Sequence, residues 1–198
     1  TAARVAKTTA MLCIAAYRIA EKPSKIIWGR DSNKTIRKFC KLEWNPMLEV
    51  SPVMRALIPK DRKNKFTFEL QEFLEAPLIF TGVKSAGAIA GDTVDVVLGD
   101  EVDKWGDGGG KETSPVKNIQ VRNTTSEQAL TVLASTPTTE HGGIAVEFAD
   151  SDQRHYFMPC PHCTKKIEFV WSAETVIFDH CRNADGSWDL ERVLSDTY

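Results

Sequence analysis

The run Val94-Asp95-Val96-Val97-Leu98, stopping at Gly99-Asp100-Glu101, constrains this chain more than any other segment. A strand with one wet face alternates apolar and polar residues. A strand covered on both faces carries a nearly continuous β-branched run and ends abruptly. Leu130-Thr131-Val132-Leu133-Ala134 is a second run of the same kind. Chains with such strands need helices above and below the sheet, and the intervening segments supply them. Thr8 to Ala20 is dense in Ala, Leu, Ile and Met and reads as a buried helix. Pro23 closes it, and Lys25-Ile26-Ile27-Trp28 follows as a short strand. A second helix is expected over Ser32 to Leu42, capped by Asp31 or Ser32. Phe66 to Leu70 and Ala76 to Phe80 read as a further pair of strands. Strands alternating with helices predict an α/β fold with a mostly parallel sheet and helices on both faces.

The chain has 198 residues, which suits one such domain with a small appendage. Apolar residues make up 42% and charged residues 26%, the balance of a soluble globular chain rather than a disordered one. No apolar run approaches the ~20 residues needed to cross a bilayer. The chain opens on Thr1 with neither an initiator Met nor a signal peptide, and reads as a piece of a longer protein. A net charge of −2 argues against a uniformly basic nucleic-acid binder but leaves room for a local basic patch. Lys60, Arg62, Lys63 and Lys65 form one cluster, either a solvated turn or a contact to DNA phosphates.

Composition shifts near Asp150. Residues 1–150 are expected to form the main domain and 151–198 a small, incomplete β module. In the latter, Tyr156-Phe157-Met158 and Ile167 to Trp171 flank a close pair, Cys160 and Cys163. The five cysteines are odd in number and fit a reduced compartment better than a disulfide framework. Cys160 and Cys163 are spaced as half of a tetrahedral Zn²⁺ site, which Cys181 with His180 or His162 could complete. The rival reading is two reduced thiols in a loop. Cys13 and Cys40 are expected in the core.

Two segments carry chemistry. Ala3-Arg4-Val5-Ala6-Lys7-Thr8-Thr9 precedes the first helix. A nucleoside triphosphate requires backbone N–H donors, a Lys at the β/γ oxygens and a hydroxyl on Mg²⁺. Lys7 and Thr8 stand in that order at the end of a helix whose dipole helps. The general pattern has Gly before the Lys, and Ala6 stands there. Alone, the segment also reads as an ordinary helix start. The second segment is Asp100-Glu101, at the C-terminal end of the expected buried strand, where open α/β sheets bind ligands. Asp100 is the candidate metal-side carboxylate and Glu101 the candidate base for an attacking water. An acidic turn without chemistry is the alternative. Asp103 reads as structural or solvent-facing.

Taken in order, these segments resemble the lambda-type large terminase subunit of tailed bacteriophages. Ala3 to Lys7 resembles that family's phosphate loop. Pro46-Met47-Leu48 and Pro52 to Leu57 resemble the stretch that follows it. Gly82 to Ala86 and then Asp95 to Asp103 resemble the approach to its Asp-Glu-x-Asp motif. Ser135-Thr136-Pro137 resembles its third motif, and Pro159-Cys160-Pro161-His162-Cys163 its later Cys pair. The resemblance implies a P-loop-type ATPase that uses ATP and Mg²⁺ to drive double-stranded DNA into a procapsid in the host cytoplasm. It implies a homo-oligomeric ring, a small terminase subunit and a portal protein as partners, and no membrane. It makes Arg4 a candidate for stabilising γ-phosphate charge, against a plain surface Arg. It makes Ser135 and Thr136 candidates for sensing the γ-phosphate, against a plain turn. Two rivals remain at this level: a helicase-like nucleic-acid ATPase, and a non-catalytic DNA- or protein-binding module with decayed motifs.

Overall fold

A computed structural model describes residues 6–61, 65–83, 93–106, 114–160, 163–168 and 179–196. The chain divides into two compact units, Thr1–Asp150 and Ser151–Tyr198.

The first unit is a mixed α/β layer structure. Its sheet contains β1 (Ile26–Arg30), β2 (Leu70–Glu72), β3 (Pro77–Gly82), β4 (Val96–Asp100) and β5 (Leu130–Ala134), in the order β2-β3-β1-β4-β5. The strands β3, β1, β4 and β5 run parallel, and β2 is an antiparallel edge on β3. All five residues of β1 and of β4 are buried, as expected for central strands covered on both sides. Alternate residues serve two cores. Ile26, Trp28, Val96 and Leu98 face one, together with Met11, Ile36 and Phe39. Ile27 and Val97 face the other, with Val116, Ile119 and Trp105. Helices therefore cover both faces, as the β-branched runs require.

Helix α1 (Lys7–Ala20) packs only one stripe. Met11, Ala15, Arg18 and Ile19 are buried at helical spacing, whereas Tyr17 and Cys13 are exposed. The helix is thus half-buried, and Cys13 is no core residue; it lies on the side opposite the Met11–Ala15 stripe. Cys40 is in the core as expected, and burial pushes its thiol up to about 11. Ser32 caps α2 (Asn33–Phe39), its hydroxyl accepting from Thr35 N while Thr35 Oγ1 accepts from Ser32 N. The expected helix to Leu42 changes register at Cys40. A π-helical turn, Cys40–Trp44, leads without a break into α3 (Asn45–Val50). Pro46 has no N–H for a carbonyl four residues back, and the wider turn accommodates it. The short α4 (Pro52–Ala56) follows, its Ser51 cap accepting from Met54 N.

The expected strand over Phe66 to Leu70 is displaced. Thr67 Oγ1 accepts from Glu69 N and Leu70 N and bends the chain. Regular pairing begins only at Leu70, and Phe66 joins by a single bridge to Gln71. On the second face, α5 (Pro115–Gln120) brings Val116 and Ile119 inward, and α6 (Gly143–Ala149) lies beyond β5 in the chain.

The second unit holds an antiparallel pair, β6 (Phe157–Pro159) and β7 (Lys166–Glu168), and α7 (Leu190–Asp196). Both strands are exposed along their length. The expected extension of β7 through Trp171 lies outside the described residues.

Candidate active site

Parallel pairing in register brings three strand ends level. Gly29 of β1 pairs with Gly99 of β4, and Asp100 of β4 pairs with Ala134 of β5. The residues at these ends, Arg30, Asp100-Glu101 and Ser135-Thr136, thereby come together. The start of α1 meets the same place. A cavity of about 390 Å³ is lined by Ala6, Lys7, Thr8 and Thr9 on the helix side. Asp100, Glu101 and Lys104 line it on the β4 side, and Ser135, Thr136 and Thr138 on the β5 side.

The helix side has the geometry of an α-helix N-terminus open to a cavity. Ala6 is the N-cap residue of α1 in the left-handed conformation, φ 57° and ψ 27°, where glycine is the ordinary occupant. Its carbonyl accepts from Ala10 N at 2.9 Å, closing the first turn. No side chain caps this end and no acid lies in the first turn. The positive end of a 14-residue helix therefore faces the cavity. Lys7 Nζ donates to Thr136 Oγ1 at 3.2 Å, spanning from the helix to the end of β5.

The acidic side is more tightly tied. Asp100 is 2% exposed, and burial raises its carboxyl above the ordinary 3.8. Arg30 acts the other way, and the neighbouring Glu101 and Glu43 add to the rise. Arg30 Nη2 lies 3.0 Å from Asp100 Oδ2 and 3.7 Å from Glu101 Oε2. The Arg30–Asp100 contact is an ion pair; Asp100 Oδ2 makes no aligned hydrogen bond among the described residues, and the Arg30 guanidinium is its charged neighbour. Glu101 is left-handed too, at φ 56° and ψ 45°, and Lys104 Nζ holds its Oε1 at 2.9 Å. Two non-glycine residues in this sparsely populated region thus line one cavity, strain of the kind that marks functional sites.

Two further residues brace this bank. Gly29 and Gly99 leave a slot for the Trp105 ring. A Cβ on Gly99 would stand 2.6 Å from Leu133 and 2.9 Å from that ring. Trp105 Nε1 then donates to the Asp100 carbonyl at 3.0 Å. Asp103 accepts from Thr138 N at 2.7 Å, Thr138 Oγ1 at 2.9 Å and Ile144 N at 2.9 Å. Its own N–H donates to Ser135 Oγ at 3.2 Å. Burial opposes ionisation of Asp103, but the bonds from Ile144 and Thr138 outweigh it and hold the carboxyl below 3.8. Asp103 clamps the end of β5 to the end of β4.

The cavity therefore gathers Ala6, Lys7, Thr8, Thr9, Asp100, Glu101, Ser135 and Thr136, all singled out in the sequence. Ala3, Arg4 and Val5 lie outside the described residues, as do Arg62, Lys63 and His162. Arg30, Lys104 and Thr138 are additions. Arg30 carried a faint signal, a charge closing the apolar run Ile26-Ile27-Trp28-Gly29; Lys104 and Thr138 carried none. In the second unit, Cys160 is half-buried, Cys163 and His180 are exposed and Cys181 is buried. Among the described residues no group of three or more His, Cys, Asp or Glu side chains is gathered for a metal, so the geometry gives the Zn²⁺ expectation no support.

The model of one protein family, Phage terminase large subunit gpA, ATPase domain, matches residues 1–188. The chain belongs to this family. A search of curated proteins and one of solved structures each returned no match. Membership in the gpA ATPase family fits an ATPase motor of viral DNA packaging, and it does not favour a helicase-like ATPase or a non-catalytic binding module. It makes ATP hydrolysis the general activity, with ATP and Mg²⁺ as the species required, and DNA and packaging proteins the general class of partner. No described helix is long and apolar enough to cross a membrane.

Proposed function

We propose that this gpA-family chain is a P-loop-type ATPase domain whose cavity between α1 and β4 hydrolyses ATP to move double-stranded DNA into a procapsid. One observation carries the reading: Lys7 and the Asp100-Glu101 pair line a single cavity at the C-terminal ends of neighbouring parallel strands. In this reading the N–H groups at the start of α1 and the Lys7 ammonium bind the β/γ-phosphate oxygens. The Asp100 carboxylate and the Thr8 hydroxyl line the same cavity and are oxygen donors of the kind this hard cation takes, so they would hold Mg²⁺. The ion would supply charge neutralisation at the phosphate oxygens. Glu101 orients and deprotonates the attacking water. Arg30 holds Asp100 and Glu101 in place, and its own guanidinium lies 5.0 Å from the centre of the Phe39 ring. Thr136, touched by Lys7, relays the phosphate state to the β5 side, and Arg4 joins the charge-stabilising set.

The same reading assigns residues 1–150 to the ATPase domain and 151–198 to a small β module. It makes a small terminase subunit, a portal protein and further copies of the chain in a ring the partners, acting in the host cytoplasm. Zinc is no part of it. ATP binding by calorimetry and turnover by phosphate release test the core claim. The unaltered chain should bind and hydrolyse ATP, and Lys7→Ala should remove binding. Equal ATP affinity in both would exclude this cavity as the nucleotide site.

A further inference from the structure

A basic stripe runs along the outer side of α2 and the π-helical turn that continues it. Lys34, Arg37, Lys38 and Lys41 are all exposed, and their spacing of three and four residues sets them on one side of the helix. The other side carries Ile36, Phe39, Cys40 and Trp44, all buried in the first core. The core therefore fixes which way the stripe faces. We propose that this stripe binds the phosphate backbone of a nucleic-acid duplex. The inference rests on the packaging-motor reading for the duplex being DNA.

Three observations support it. First, none of the four side chains has an ion-pair partner among the described residues. No salt bridge among the described residues joins a nearby acid to the stripe. Asp31 accepts from Thr35 Oγ1 at 2.5 Å, and Glu43, two residues beyond Lys41, falls on a different side of the helix. Second, the Arg37 guanidinium lies 3.8 Å from the centre of the Phe68 ring. Stacking holds the group without using its N–H donors, which leaves them for phosphate oxygens and lowers the entropy lost on binding. Third, the scale matches. Seven residues of helix rise roughly 10 Å, and one DNA strand advances about 3.4 Å per phosphate along the duplex axis, so a stripe laid along that axis covers the rise of about three phosphates.

The charge distribution sharpens the contrast, because the whole chain carries −2 whereas these four stripe residues are all cationic. Three of the four are Lys, which protein–protein interfaces disfavour and phosphate contacts use freely. An acidic protein surface is thus the weaker fit.

The test is a triple variant, Lys34→Ala with Lys38→Ala and Lys41→Ala, which leaves Arg37 on Phe68. A short mixed-sequence DNA duplex carrying a fluorophore is the probe, and its anisotropy is followed across a salt series. The slope of log affinity against log salt should become shallower by about 2 to 3, with affinity falling roughly tenfold or more at ~0.1 M salt. A control triple, Lys22→Ala with Lys165→Ala and Lys166→Ala, removes the same charge elsewhere and should keep the slope. Lys→Arg at the three stripe positions should keep both slope and affinity. Thermal unfolding checks each variant, and Lys→Gln replaces Lys→Ala if the alanine triple melts early. An unchanged slope in the stripe triple, an equal loss in the control triple, or no duplex binding by the unaltered chain would overturn the proposal. ATP turnover by the unaltered chain without DNA reports on the hydrolysis reading alone. Turnover with no effect of the stripe would sink the stripe and leave the ATPase standing.

Discussion

The two banks of the cavity are built on opposite plans. The β4 bank is dense. Arg30 and Lys104 hold the two acids, Trp105 holds the Asp100 carbonyl, and Asp103 ties the next strand in place through three accepted bonds. Among the described residues, the α1 bank carries fewer bracing contacts. Its first turn has neither a capping side chain nor an acid, and Lys7 reaches across to Thr136. Groups that act on a reacting atom gain from being fixed beforehand, since reorganisation then costs nothing during the reaction. The first N–H groups of a helix have no partner within the helix itself, which suits them to an incoming phosphate. Under the proposed ATPase reading, the contrast separates a preorganised catalytic side from a receptive binding side.

That contrast can be broken by substitution. The largest effect should come from Glu101→Gln, which keeps the shape of the acidic bank and removes its base. Turnover should fall by about 10²- to 10⁴-fold with ATP affinity retained, measured by single-turnover phosphate release beside calorimetry. Unchanged turnover would remove Glu101 from the role. Arg30→Ala comes next. It leaves Asp100 buried without its cation and should cost roughly 3 kcal/mol of stability, read by denaturant unfolding. A cost near zero would mean that the β4 bank is not braced from β1.

Asp103→Ala should cost roughly 2 kcal/mol, because three donors lose a charged acceptor. This effect carries a pH signature. The carboxyl titrates below 3.8 in the folded chain, so its contribution is present above that value and is lost as pH falls through the folded value. The stability difference between the unaltered chain and Asp103→Ala should therefore shrink below about pH 4, and a gap that persists there would contradict the clamp. The smallest effect belongs to the α1 bank. Ala6→Gly relieves a left-handed alanine and should stabilise the fold by about 0.5 to 1 kcal/mol without loss of ATP affinity. Destabilisation would mean that the Ala6 methyl is needed where it stands.

Much of this was legible in the residues. The run Val94 to Leu98 announced a central parallel strand, and β4 is buried throughout. Leu130 to Ala134 forms a parallel strand with the predicted limits, but β5 is the edge of the sheet and only part-buried, not the buried strand its apolar run implied; which run ends at the edge is set by pairing order, not by local composition. The β4 strand runs two residues later than expected because Asp95 N and Val96 N both donate to Lys25 O at the sheet margin. The Lys7-Thr8 and Asp100-Glu101 segments stood out because charge at the end of an apolar run is costly unless it has work to do. Less legible were contacts set by distance in space. Arg30 lies 70 residues from Asp100 in the sequence, and only the register of β1 on β4 makes them neighbours.

The amino-acid order alone determined which segments could be buried strands or amphipathic helices, because apolar periodicity is a local property. It also determined the chemical types available at each strand end. Tertiary structure decided the rest: the pairing order that levels Arg30, Asp100 and Ser135, the exposure of Cys13 on an otherwise apolar helix, the π turn before Pro46, and the outward aim of Lys34, Arg37, Lys38 and Lys41. Each of these depends on which surfaces meet across many residues, and no local propensity encodes that. The left-handed backbones of Ala6 and Glu101 show the same division, for both residue types avoid that conformation when nothing around them imposes it.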